Sequence, residues 1–541
     1  MILNWLKKQK RWIGIFTILP FAVYYISCNI TNPQDNIDVI FNTLSIATNA
    51  SVNFVDAATG APIGSSSQRM PVNLTITGSN SDKIVTSLNE PQTSFSTNVG
   101  LITFGVIDSY TPTSSNPVNI TLVASSNGYQ TTSLPISITS TGSSAYTIRM
   151  IKTSAPPTGT STATPTSVPA NSSGTTTSTV NITTSTEPAS KGNASIIINS
   201  GTTLKDANGN PVTGNLIANV TYTSGSKAAN NSSMPTGLSV NVSQGATRSR
   251  GYLQPAAVAS YTIANQNSQL VSKLSSPVTL SMTIPSNTVN IATGNQIRSG
   301  DIVPIYSFNE TTQMWQFETN SNAVGPDANG NFIASFQATH LSYWLSGWIA
   351  SGGQVCTTDI TLNILGSYSV LLLKLKISDN TILTQNVSSN QNKFVFSNLT
   401  IPKGLPVTIE AYSLLECPAV LVGSTTVQDL CSTNTVNLNV DQGSNLVNVN
   451  VDVTAICPNK NPVLKIKPSG YDIFILNQCG TENLGTINNG QITLNGLKMG
   501  ATYTFGMFYK GVLYTQEHTI DQTYYNYNYN ISDSVCNSDF K

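Results

Sequence analysis

The residues able to do chemistry in this 541-residue chain are few and unevenly placed. Six cysteines, Cys356, Cys417, Cys431, Cys457, Cys479 and Cys536, crowd into the C-terminal third. Their even number suits disulfides, and none has the C-x-x-C spacing of a zinc site. Spacing alone leaves the pairing open; Cys417 with Cys431 is the first choice, since closing a loop of about 15 residues is worth roughly 3 kcal/mol. The stretch Tyr524–Asn530 alternates tyrosine and asparagine, so a strand there puts Tyr525, Tyr527 and Tyr529 on one face. Such a row either packs on its own sheet or offers sugar rings apolar faces and hydroxyl partners together. The pentad Asp-Ala-Asn-Gly-Asn occurs at 206–210 and again at 327–331. A calcium loop alternates oxygen ligands in a similar way, but the distal acidic ligand is missing here. A tight turn with Gly209 and Gly330 at positive φ fits both copies. Catalysis has little to draw on. His340 and His518 are the two histidines, and no G-x-S-x-G, H-E-x-x-H or phosphate loop occurs. No spacing singles out Asp301, Glu310 and Glu318 as a glycosidase pair. These residues imply a non-enzymatic protein with no metal and no cofactor.

The N-terminus sets the compartment in which the cysteines oxidise. Lys7, Lys8, Lys10 and Arg11 precede a 16-residue apolar run, Trp12 to Ser27. That run is shorter than the roughly 20 residues of a membrane span, and Pro20 interrupts it. A charged head and short apolar run before a small residue mark a signal peptide, residues 1–27. Ile26-Ser27-Cys28 resembles a bacterial lipobox, with Tyr25 where an aliphatic residue is usual. The resemblance implies that Cys28 is acylated and becomes the new N-terminus, with residues 28–38 as a lipidated tether. Diacylglycerol plus an N-acyl chain such as palmitate would anchor it stably, at about 0.8 kcal/mol per buried methylene. Plain secretion or an uncleaved anchor are the alternatives. Without residues 1–27 the formal charge falls from zero to −4, because four basic residues leave and the 25 acidic ones stay. That balance, with no basic patch, excludes nucleic acid as a partner.

The body must be built of strands. From 39 to 152, runs such as Val72-Asn73-Leu74-Thr75-Ile76 and Val118 to Val123 alternate apolar and polar residues between turn signals, which predicts a β-sandwich. Val55 to Ile63 and Val123 to Ile138 resemble the carboxypeptidase-regulatory, transthyretin-like modules of bacterial surface proteins, which implies a spacer or binding module. Residues 153–190 collapse to Thr, Ser, Pro, Ala and Gly with Glu187 and no second acid, a composition expected to form a disordered, partly extended linker.

Residues 191–350 carry a longer succession of motifs: "SPVTLSMTIP" (Ser276 to Pro285), "TGNQIRSGDIVPIYSFNETTQMWQFE" (Thr293 to Glu318) and "DANGNFIASFQATHLSYW" (Asp327 to Trp344). Their order resembles the spectrin-binding sandwich of ankyrins and netrin receptors, a module that binds or transmits force. In relatives of that sandwich a His-hydrophobic-Ser/Thr triplet cleaves itself. The resemblance would make Ser342 the nucleophile, His340 the base and the Leu341-Ser342 bond the target. The competing expectation is a closing strand in which Leu341 merely packs. Residues 351–455 and 456–541 look like a repeat: Phe394-Val395-Phe396, Leu399, Gly404 and Val407 to Ile409 parallel Ile492-Thr493-Leu494, Leu497, Gly500 and Tyr503 to Phe505. Each repeat begins with a cysteine, Cys356 or Cys457.

The expected fold is all-β: tandem antiparallel β-sandwiches joined by a disordered Thr/Ser/Pro-rich linker. The expected function is binding or adhesion toward a protein or glycan. The place is the bacterial cell envelope, with a lipid on Cys28 holding the chain to a membrane, the outer one by preference. A scaffold or stalk without soluble ligand, or a self-processing protein, is the alternative.

Overall fold

The computed structural model describes residues 38–39, 46–530 and 533, except 65–69, 87–88, 114, 229–233, 235–236, 268, 291–292, 311, 313, 378–379, 389–391, 444, 460–462, 478–479 and 510–511. The signal peptide, Cys28, the tether up to residue 37, Cys479 and Cys536 lie outside the described residues.

The chain is all-β, and its strands follow the period-2 rule. In Val72–Thr77, for example, Val72, Leu74 and Ile76 are buried while Asn73 faces out. Each sheet thus has one apolar face, and two such faces close on each other.

In the first sandwich, Thr48–Asp56 pairs antiparallel with Leu101–Val106 and parallel with the closing strand Gly142–Met150. The facing sheet runs Ser94–Thr97, Val72–Thr77, Val118–Ser126, Thr132–Ile138. The third sandwich repeats this order. Val355–Leu365 is antiparallel to Lys393–Pro402 and parallel to Thr435–Asn439. Its facing sheet runs Asn380–Ser388, Val370–Ile377, Val407–Ser413, Val420–Val427. So does the fourth, where Leu446–Cys457 lies between Gln491–Lys498 and the parallel strand Tyr524–Asn530. Its facing sheet runs Gly480–Ile487, Tyr471–Asn477, Thr502–Tyr509, Val512–Thr519. These three sandwiches are antiparallel as expected, except that in each the first and last strands run side by side in one direction.

The repeat therefore extends to the first sandwich as well. Its boundary also moves: Leu446–Cys457 is one continuous strand, so no break falls between 455 and 456. Cys457 ends that strand whereas Cys356 lies near the start of its counterpart, and the two cysteines are not equivalent.

The second sandwich is larger. Its long strand Thr247–Ala264 pairs with Leu216–Ser224, Ser239–Gln244 and Tyr343–Ala350. Through Met314–Asn322 and Ile302–Asn309 the same strands close into a ring. The facing sheet centres on Lys273–Ile284, flanked by Ala194–Ile198 and Phe332–His340.

The linker expected at 153–190 is part of this sandwich. Thr160–Thr162 and Thr166–Val168 pair with Leu216–Ser224, and Val180–Thr183 pairs with Ala194–Ile198. Ala163, Val168, Val180 and Ile182 enter the core. A strand needs an apolar residue only at every second position, and threonine supplies β-branching in between. Glu187, the segment's one acid, is 1% exposed and accepts hydrogen bonds from the Gly159 and Ser190 backbone N–H groups. Burial opposes its ionisation, but those donors outweigh burial and hold its pKa below the ordinary value. No spacer isolates the first sandwich either. Tyr343 donates to the Ser133 carbonyl at 2.8 Å, Gln130 to Val220 at 3.3 Å, and Asn53 to Thr481 of the fourth sandwich.

The preferred Cys417–Cys431 pairing gives way to Cys356–Cys431, with Cα atoms 5.7 Å apart. Cys417 and Cys431 flank the 8-residue strand Val420–Val427, which at about 3.3 Å per residue carries them well beyond the roughly 7 Å a disulfide can bridge. Cys417 and Cys457 are also disulfide-bonded.

Candidate functional site

The triplet His340-Leu341-Ser342 sits where Phe332–His340 passes into Tyr343–Ala350. The Ser342 hydroxyl donates to the Phe308 carbonyl at 2.6 Å, and its own carbonyl accepts from the Tyr261 N–H. Leu341 is buried and its N–H bonds to Ser272. The His340 ring lies on Trp344, centroids 4.8 Å apart, with Nε2 3.8 Å from a Glu318 oxygen. Burial pulls the His340 pKa below its usual value while Glu318 pulls the other way. Among the described residues no hydrogen bond joins His340 to Ser342, so the base and nucleophile expected of a self-cleaving triplet are engaged elsewhere. The geometry is that of a closing strand.

The carboxylates are likewise dispersed. Asp301 accepts from the Arg298 N–H at 2.8 Å and closes its own turn. Glu318 accepts the Ser307 hydroxyl at 2.6 Å. Glu310 is pushed up to about 7 by burial, which its partner Ser133 counters in part. Both Asp-Ala-Asn-Gly-Asn pentads fold into the same turn: Asp206 Oδ1 accepts from Asn208 and Asn210, and Asp327 Oδ1 accepts from Asn329 and Asn331. Gly209 and Gly330 hold φ of 89° and 82°. Each aspartate thus caps its own backbone.

Tyr525 and Tyr527 share a face and turn inward. Tyr525 is 5% exposed, and its ring stacks parallel to that of Tyr527 at 5.9 Å. Its hydroxyl donates to Asp521 at 2.8 Å and accepts from the Asp521 N–H. Of the two readings of the row, these two rings take the first: they pack inside the sandwich, because their strand presents them to the facing sheet. Nothing is described of the Tyr529 side chain.

Between the sheets of the fourth sandwich lies a cavity of about 180 Å³. Val451, Ile492, Tyr525 and Tyr527 line it from one sheet, Phe505 and Met507 from the other. His518 also faces it, its ring edge-on to Tyr525 at 4.7 Å. His518 Nε2 is buried with no hydrogen-bond partner among the described residues. Leaving a buried polar group unpaired costs about 1–3 kcal/mol. By residue type His518 is one of two histidines, and no motif singles it out. The missed signal is parity: His518 stands two residues before Ile520, which is 1% exposed, and so shares its inward face.

No family model and no curated protein matches this chain. Among solved structures, the minor pilin GBS52 of Streptococcus agalactiae aligns at 9% identity and TM-score 0.15, covering 32% of this chain and 94% of that one. The TIE protein of Bacillus anthracis aligns at 10% identity and TM-score 0.12, covering 68% and 74%. Two B repeat units of the Staphylococcus aureus collagen-binding protein align at 12% identity and TM-score 0.12, covering 87% and 99%. The fold assignment rests on this chain's own strand pairings.

Proposed function

We propose that the chain is a lipid-anchored cell-envelope protein that binds a partner rather than catalysing a reaction. The observation that carries this reading is the use of one strand order three times along a chain whose first 28 residues read as a lipoprotein signal. With Tyr525 and Tyr527 turned inward, another envelope protein fits better than a glycan. An edge strand is available for it: Val420–Val427 ends its sheet, and Val420 and Leu421 are 43% and 50% exposed. Open edges pair readily with a strand from another chain.

Two experiments test the two halves. Cys28→Ala should release the protein from the detergent-extracted membrane fraction, and unchanged retention contradicts the anchor. A pull-down with the chain displayed on cells should recover an envelope protein that Leu421→Lys no longer captures. Recovery of the same proteins by both forms contradicts the edge-strand reading.

A further inference from the structure

The first described strand, Asp38–Val39, joins the fourth sandwich: it lies parallel to Leu464–Ile466, with Asp38 opposite Lys465 and Val39 opposite Ile466. We propose that the fourth sandwich rests on the lipid bilayer, with the end that carries Val463 as the surface of contact. This inference rests on the reading of Cys28 as a lipid anchor. Three observations carry it. Cys28 stands ten residues before Asp38, and ten residues span at most about 36 Å, so a lipid on Cys28 keeps this sheet within that distance of the membrane. Because the two short strands are parallel, the N-terminal side of Asp38 faces the Leu464 end of the sheet, where Leu446–Cys457 also finishes. At that end Val463 is 47% exposed.

The strand Leu446–Cys457 then sets the polarity of the molecule. Its Cys457 end is the tether's end, and its Leu446 end follows Thr435–Asn439, the last strand of the third sandwich. Its twelve residues, at about 3.3 Å each, hold those two ends about 36 Å apart. The third sandwich, with its open edge Val420–Val427, therefore joins on the side away from the bilayer. The first sandwich stays beside the fourth, since Asn53 donates to the Thr481 carbonyl. A lone valine does not hold a protein on a membrane, so the lipid supplies attachment and the Val463 end supplies orientation. The bilayer is the occupant favoured at this end, because a short tether keeps it at high effective concentration there.

The test puts photoreactive p-benzoylphenylalanine in place of Val463, or of Leu421 on the open edge, in the full-length lipidated protein. The protein is reconstituted in vesicles of phosphatidylethanolamine and phosphatidylglycerol, illuminated, and read by mass for lipid adducts. Adducts should form at 463, with at most a trace at 421. Inserting about 30 Gly/Ser residues between Asn36 and Ile37 should lower the yield at 463 by about threefold or more, since effective concentration falls as a tether lengthens. Flotation with the vesicles and the mass of the N-terminal peptide report the anchor separately. A floating protein with no adduct at 463, with equal adducts at both positions, or with a yield that the insertion leaves unchanged overturns the orientation and leaves the anchor standing. Absence of lipid on Cys28 overturns the anchor, and this inference with it. If the labelled forms do not fold, hydrogen exchange at residues 463–467 of the natural protein decides: it should be slower on vesicles than in soluble Cys28→Ala, and equal rates overturn the contact.

Discussion

The third and fourth sandwiches share one strand order, yet one is filled and the other is hollow. In the third, Leu371, Leu373, Leu375, Val407, Ile409 and Ala411 are all 0% exposed, and Val436 and Leu438 close the opposite sheet. In the fourth, the positions matching Val407, Ile409 and Ala411 are Tyr503, Phe505 and Met507, and Tyr525 and Tyr527 stand on the facing closing strand. Phe505 and Met507 from one sheet and Tyr525 and Tyr527 from the other line a cavity of about 180 Å³. A shared topology therefore does not fix the interior; side-chain volume on two facing strands does.

Four tests should sharpen or break that contrast. The largest concerns the Cys356–Cys431 staple of the filled sandwich. It spans 75 residues, and removing it with Cys356→Ser should cost about 4 kcal/mol in denaturant unfolding. Next, Leu373→Ala opens a cavity in a closed core and should cost about 2–5 kcal/mol, whereas Ile473→Ala beside the existing cavity should cost less than half as much in the same measurement. A second pair should differ in sign. Ala411→Val overfills the third sandwich and should cost about 1–3 kcal/mol, while Val449→Ile adds a methylene toward the cavity and should gain about 0.8 kcal/mol. Equal signs would mean that the two interiors are packed alike.

The smallest effect lies at the seam between these sandwiches. Glu482 of the fourth accepts a hydrogen bond from Asn386 of the third at 3.0 Å. Burial pushes its pKa up from 4.5 to about 7, with Asn386 and Arg149 opposing the rise. A folded-state pKa above the unfolded one means that this stability is fully present below about pH 4.5 and is lost as pH rises through about 7. The melting temperature should fall by about 2–4 °C between pH 5 and 8, and Glu482→Gln should flatten that slope.

Much of this architecture was legible in the residues. Alternation in Val72–Thr77 and the paired motifs around Phe396 and Leu494 report strands and a repeat, because a half-buried strand must alternate and equivalent strands bury equivalent positions. Residues 160–183 were not legible. Their threonines and serines look like a linker, and only the partners Leu216–Ser224 and Ala194–Ile198, distant in sequence, show that they are strands. The disulfide was misjudged because sequence distance says nothing of the strand that separates Cys417 from Cys431. At the candidate site the tyrosine periodicity was readable, but which way the row faces depends on the facing sheet. Cavity and orphaned imidazole arise only when the two sheets are placed together.

A xenon-pressurised crystal of the protein tests the contrast most directly, because an apolar cavity takes up xenon and a filled core does not. One xenon atom is expected between the sheets of the fourth sandwich, near Phe505 and Tyr527, with none inside the third. Xenon absent from the fourth, or present equally in both, would contradict the account.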